Sequence, residues 1–219
     1  MRILTVLRPE PGNAATTARI VALGCQALSL PLFAVRPLAW TPPNPAAHDA
    51  LLLTSANTLR HGGAALTTLR ALPVLAVGQA TAAAARAAGF RVLLTGDTGV
   101  APLLQHAATH QIARVLHLGG RERTRTDSAL LTATIAVYAS ETLPILPTQR
   151  AQLEGSVALL HSARAARRLA ELITDRARLR IAALSPAVRD AAGSGWDAAI
   201  VARAPDDAAL IAAAITLAD

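Results

Sequence analysis

Short runs rich in Val, Ile and Leu recur near residues 3–7, 28–33, 50–54, 74–77, 91–95, 114–118, 134–138, 157–161, 180–184 and 198–202. Between most of them lie Ala-rich amphipathic segments of helical length. Continuous apolar strands alternating with helices predict parallel sheet covered on both faces. Ten such strands suit two five-stranded sheets. The expected fold class is therefore α/β, with two doubly wound, flavodoxin-like domains.

The chain also repeats itself. Leu52-Leu53-Thr54-Ser55-Ala56-Asn57 aligns with Leu159-Leu160-His161-Ser162-Ala163-Arg164, and the same offset carries Gly78-Gln79-Ala80 onto Ser185-Pro186-Ala187. After one gap, Gly89-Phe90 and the strand from Arg91 fall on Gly195-Trp196 and the strand from Asp197. The shorter pieces that open at Arg2-Ile3-Leu4 and Arg114-Val115-Leu116 also resemble each other, so the order is short, long, short, long. Pro37, Pro42, Pro43 and Pro45 separate the first pair, Pro144 and Pro147 the second, whereas the middle join is short and free of proline. That placement predicts a middle domain over 46–142 and a discontinuous outer domain from 1–36 and 150–219. Residues 37–45 and 143–149 are then two linkers flanking an active-site cleft.

Composition narrows the partners. With 219 residues and 53% hydrophobic positions the chain can bury a full core. No apolar run reaches the roughly 18 to 20 residues of a membrane span, and the N-terminal apolar stretch is too short for a signal peptide. A cytoplasmic protein without membrane contact is expected. One cysteine, Cys25, excludes an intrachain disulfide or a cysteine metal cluster and reads as a buried structural residue. The net charge is +7, carried by 21 arginines with no lysine. That excludes a Walker phosphate loop, Schiff-base chemistry and pyridoxal phosphate attachment. Aromatic residues are only 2% and the arginines are dispersed, so a nucleic-acid partner is not expected. A polycarboxylate or phosphate ligand suits the charge.

In doubly wound sheets such ligands bind beyond the carboxyl ends of the strands. In the middle domain those ends carry Thr54-Ser55-Ala56-Asn57, Gly78-Gln79-Ala80-Thr81, Gly96-Asp97-Thr98-Gly99 and Gly119-Gly120-Arg121-Glu122-Arg123. In the outer domain they carry Arg8-Pro9, His161-Ser162-Ala163-Arg164 and Ser185-Pro186. Each Ser, Thr or Asn alone reads equally as a helix cap. Together with Arg8, Arg121, Arg123 and Arg164 they form two rims of donors suited to several carboxylates.

The familiar catalytic patterns G-x-G-x-x-G, H-E-x-x-H and G-x-S-x-G are absent. His106 and His110 read as surface histidines on a helix, and Gly193-Ser194-Gly195 as a helix-ending turn. Tyr138, the one tyrosine, ends an apolar strand just before the second linker, where a phenol serves either as a half-buried packing residue or as a proton donor.

The order and spacing of Leu7-Arg8-Pro9 with Gly24 and Pro31-Leu32, Leu53-Thr54-Ser55-Ala56-Asn57, Ala76-Val77-Gly78-Gln79-Ala80-Thr81-Ala82, Gly119-Gly120-Arg121-Glu122, Val137-Tyr138 and Leu160-His161-Ser162 resemble the uroporphyrinogen-III synthase family over essentially the whole chain. The resemblance implies a lyase of tetrapyrrole and heme biosynthesis that uses neither cofactor nor metal. Its substrate is hydroxymethylbilane, a linear tetrapyrrole octacarboxylate, which the family closes to uroporphyrinogen III with loss of water and inversion of ring D. The catalytic role falls on Tyr138, as the acid that helps the hydroxyl depart. Substrate binding falls on Arg8, Ser55, Asn57, Gly78, Thr81, Gly120, Arg121, Ser162, Arg164 and Ser185. A monomer is expected, with transient contact to the preceding enzyme of the pathway. Two positions depart from the pattern: Ser185-Pro186-Ala187-Val188 replaces a glycine followed by threonines, and Asn57 replaces a frequent arginine. A noncatalytic two-lobed protein that closes on an anionic small molecule fits the same pattern, whereas a response-regulator or flavodoxin-like pair lacks the acidic cluster or flanking aromatics it needs.

Overall fold

The structure, a computed structural model, describes residues 1–123 and 126–219. The first part of the chain runs β1 (Leu4–Val6), α1 (Gly12–Ala22), β2 (Ala27–Ser29), β3 (Phe33–Pro37), β4 (Ala50–Leu53), α2 (Asn57–His61), β5 (Val74–Val77), α3 (Gln79–Ala87) and β6 (Val92–Gly96). The second runs α4 (Val100–Thr109), β7 (Val115–Gly120), β8 (Leu131–Thr142), α5 (Pro147–Leu153), β9 (Val157–Leu160), α6 (Ala163–Leu172), β10 (Arg180–Ala183), α7 (Pro186–Ala192), β11 (Ala198–Val201) and α8 (Asp207–Ala218). No helix among the described residues is long and apolar enough to cross a membrane.

Two compact units result, Met1–Ala34 with Glu141–Asp219, and Val35–Ser140. The first holds a five-stranded sheet in the order β11-β10-β9-β1-β2, with parallel pairing throughout. Its strands are apolar on both faces because both are covered. Leu7, Ala158, Leu160, Ile181 and Ala183 pack on one side with α6 residues Ala165, Ala166 and Leu169. Leu4, Val6, Val157, Leu159 and Ala182 pack on the other with α8 residues Leu210, Ile211 and Ala214. Fully burying each leucine contributes about 2 kcal/mol, so these strand runs and helix stripes dominate the stability of the unit.

The second unit holds six strands, β3-β8-β7-β4-β5-β6, where the apolar pattern predicts five. The extra one is β3, whose short run ends at Pro37, a residue tolerated at a sheet edge because it lacks the N–H a central strand must donate. Leu51, Leu53, Val74, Ala76, Leu116 and Leu118 face one core, while Ala50, Leu52, Leu75 and Val115 face the other. With β3 set aside, the order β8-β7-β4-β5-β6 is that of the first unit, with β7 and β8 in the places of β1 and β2. The repeated sequence therefore folds twice into one layout whose short and long halves are joined in opposite order.

Local chemistry sets the helix starts. Ser162, Ser185 and Asp206 accept the backbone N–H groups of Ala165, Val188 and Ala209 at 3.2, 3.4 and 2.8 Å, and Pro186 opens α7 where no N–H is needed. The segment from 143 to 149, read as linker from its prolines, carries the first turn of α5, since Pro147 is also suited to a first helical position. Cys25 is buried and free.

Candidate functional site

Because the pairings that join β4 with β5 and β7, β5 with β6, and β7 with β8 all run parallel, the carboxyl ends of these five strands share one edge of the second unit. Gly120 ends β7 and pairs with Tyr138 of β8, a strand that does not end at the tyrosine, as the apolar run predicts, but continues to Thr142. A β-carbon on Gly120 would lie 2.8 Å from Tyr138 Cε2 and 3.2 Å from its hydroxyl oxygen, so the bare glycine leaves room for the phenol ring. The Arg121 amide donates to the Tyr138 carbonyl at 2.8 Å. Glu122 accepts from Arg121 Nε at 2.8 Å and from the Ser140 amide at 2.9 Å, while Arg123 donates to the Gly120 carbonyl at 3.0 Å. These bonds hold the end of β7 and the residues after it against the backbone at Tyr138 and Ser140.

Ser55 accepts the Asn57 amide at 3.2 Å, and Asn57 accepts from Arg60 at 3.0 Å. Gly78 adopts φ +82°, a left-handed conformation natural to glycine, and leads into α3. Thr81, expected at the rim, is instead 5% exposed among the alanines that pack α3 on the sheet. Two histidines adjoin this edge that motif reading did not single out. His61 ends α2 with its ring 6.2 Å from that of Tyr138. His117 lies 3.4 Å from the Thr54 hydroxyl, and burial, aided by the Arg123 charge, pushes its pKa down to about 4, so it is neutral at pH 7.

In the first unit, Arg8, His161, Ser162 and Ser185 follow the carboxyl ends of β1, β9 and β10. Arg8 is drawn into an ion-pair cluster. Asp207, at the start of α8, accepts from Thr16 and His161 Nε2 at 2.8 Å each, from Arg19 at 2.5 Å and from Arg8 at 3.4 Å. Burial alone would raise the Asp207 pKa, but hydrogen bonds from His161, Thr16 and Arg19 outweigh it and hold the carboxyl ionised. Asp207 escaped sequence reading because it lies 46 residues from His161 and opens an ordinary helix. Arg164 stacks over the Phe33 ring, its guanidinium carbon 4.2 Å from the centroid.

Ser55, Ser162 and Ser185 share one capability. Each hydroxyl oxygen accepts a backbone N–H, which leaves its proton to donate to a carboxylate. His106 and His110 stand with ring centroids 5.2 Å apart at the end of α4, and among the described residues no group of three or more His, Cys, Asp or Glu side chains is placed to hold a metal ion.

The comparisons with known proteins agree with this layout. A family model described as uroporphyrinogen-III synthase HemD matches residues 14–212. No curated protein sequence matches the chain. Among solved structures, uroporphyrinogen-III synthetase from Helicobacter pylori superposes with a TM-score of 0.71 at 16% identity, over 99% of this chain and 100% of that one. A mutant uroporphyrinogen III synthase from the extremely thermophilic bacterium Thermus thermophilus gives 0.56 at 17% identity, over 100% and 98%. At such identities the structures speak for the fold alone, and the family model, which spans nine-tenths of the sequence, decides the membership: this chain belongs to the uroporphyrinogen-III synthase family.

Proposed function

We propose that the chain cyclises hydroxymethylbilane to uroporphyrinogen III. The observation that carries this reading is the family match over 14–212; the placement of Tyr138 over Gly120, the last residue of β7, supports it. The phenol gives its proton to the terminal hydroxyl of the substrate as the carbon–oxygen bond breaks. Water leaves, and the electron-rich pyrrole retains an azafulvenium cation. The substituted carbon of ring D attacks this cation, and the resulting spiro intermediate opens and recloses with ring D inverted. The final pyrrole carbon loses a proton as its ring becomes aromatic again, and the phenolate of Tyr138 recovers it. Nothing is oxidised or reduced, and the sum is substrate to product plus water. A positioned acid of this kind contributes about 10²-fold or more in rate, and fixing the flexible chain against direct closure contributes further.

Binding of the octacarboxylate falls on the hydroxyl donors Ser55, Ser162 and Ser185, on Asn57, Arg121 and Arg164, and on the backbone N–H group at Gly120; Gly78, whose own N–H donates to the Gly96 carbonyl at 2.8 Å, serves by the turn that opens the first amides of α3. Arg8 contributes the positive charge of its cluster, where Arg8 and Arg19 together outnumber Asp207. Thr81 acts through its amide in the first turn of α3, since its side chain is buried. On this reading the protein works in the cytoplasm as a monomer without a cofactor. It receives its substrate by transient contact with the enzyme that makes it, because free hydroxymethylbilane closes spontaneously without inversion. Supplying hydroxymethylbilane and separating the type I and type III isomers tests the proposal.

A further inference from the structure

The Tyr138 phenol has a neighbour that the chemistry above leaves idle. His61 places its imidazole centroid 6.2 Å from the Tyr138 ring, with 44° between the planes. That separation lies within the range of roughly 4.5 to 7 Å over which aromatic rings attract. The placement is firmly held. The Thr58 hydroxyl donates to the Leu118 carbonyl at 3.2 Å, which ties α2 to β7. Beyond His61, the Gly62 amide donates to the Thr58 carbonyl at 2.8 Å, and the Trp40 indole donates to the Gly62 carbonyl at 2.9 Å. Gly62 admits no side chain, because a β-carbon would meet Thr58 oxygen at 2.7 Å and Leu66 Cδ1 at 2.6 Å. Thr58 thus pins α2 to β7, the strand whose Gly120 seats the phenol ring.

We propose that His61 is a positioning residue for Tyr138, aiming the phenol hydroxyl at the departing hydroxyl of the substrate through their ring contact and one bridging water. The inference rests on the reading of this site as that of a uroporphyrinogen-III synthase. A neutral imidazole offers the phenol one donor and one acceptor. An imidazolium offers only donors, and it adds a positive charge beside the azafulvenium cation that must form. Burial and one charge act on the His61 pKa. Arg60, next to it on α2, opposes its protonation, as burial does more strongly; from β8 the group facing it is Tyr138 itself. Both influences on its pKa are downward, so the ring stays neutral at pH 7 and gains its charge only in acid.

Tyr138 is the one tyrosine of the chain, so labelling the tyrosine ring with carbon-13 gives a single signal that reports this phenol alone. In the intact wild-type protein that signal shifts as pH falls through the His61 titration. In His61→Phe, which keeps a ring but cannot hydrogen-bond, the shift disappears. With hydroxymethylbilane as substrate, kcat of the wild type falls on the acid side. His61→Phe lowers the plateau about tenfold, leaves KM unchanged and loses the acid limb. His61→Gln, which retains a donor and an acceptor, recovers part of the plateau without the limb, and it replaces the phenylalanine variant should that one fail to fold by circular dichroism. A His61→Phe protein with wild-type kcat and an unchanged acid limb overturns the proposal, as does a tyrosine signal indifferent to the substitution. A wild-type chain that forms no type III isomer overturns the functional reading instead, and the tyrosine signal then decides whether the two rings are coupled.

Discussion

Gly120 and Tyr138 sit opposite each other on adjacent parallel strands, so close that a single β-carbon on the glycine would fall 2.8 Å from the tyrosine ring. Gly120→Ala must push the phenol aside. Its expected effects are a loss of about 1–2 kcal/mol in stability and a kcat loss of roughly tenfold, since small misplacements of a catalytic group are costly. Urea unfolding and initial rates read the two separately; full activity in a folded variant would contradict the tight seating of the ring.

Removing the phenolic oxygen tests the acid directly. Tyr138→Phe keeps the packing of β8 and leaves the far-ultraviolet spectrum unchanged, while formation of the type III isomer slows by about 10²-fold. A variant with wild-type rate would take Tyr138 out of the mechanism.

Asp207 gathers four donors in a partly buried cluster. Asp207→Ala strands the Arg8 and Arg19 cations and the imidazole of His161, whose side chain is only 9% exposed. After allowing for the exposure of both arginines, a loss of about 2 kcal/mol is expected. The midpoint of urea unfolding at neutral pH measures it, and an unshifted midpoint would show the cluster to be ornamental to the fold.

The pH dependence of stability follows from His117. Its native pKa is lowered from 6.5 to about 4, so the unfolded chain takes up a proton that the folded chain refuses. Stability is therefore undiminished above pH 6.5 and is lost as pH falls from there toward 4, by about 2 kcal/mol between pH 7 and pH 5. The buried His161, whose pKa is also lowered chiefly by burial, acts in the same direction. His117→Asn should flatten the profile; a slope as steep as that of wild type would assign the effect elsewhere.

The parsing of the chain into domains has its own test. A fragment of residues 33–142, which keeps β3 beside β8, should fold alone, and a fragment of 46–142 should fold with a lower unfolding midpoint because it lacks that edge strand. Two disordered fragments would argue against a separately folding middle domain.

Much of the fold was legible because buried parallel strands announce themselves as short apolar runs, and because duplication wrote the same runs twice. Leu51–Leu53 and Val157–Leu160 are examples. What escaped was β3, whose residues 33–36 read as the end of the outer domain and whose Pro37 reads as the start of a linker, and α5, whose opening proline also reads as linker. The strand-end residues were legible as positions but not as states. Thr81 matches the motif yet is buried, Arg8 matches it yet is paired with Asp207, and neither condition has a local signature. His61 lay hidden for the same reason: its significance depends on Tyr138, far away in sequence and adjacent only through the pairing of β7 with β8.

The most direct test of the account is to supply freshly generated hydroxymethylbilane, oxidise the products, and separate type I from type III uroporphyrin with and without the protein. A protein-dependent shift to the type III isomer is expected. Type I alone in both samples would contradict it and leave a noncatalytic binder of anionic small molecules on the same scaffold.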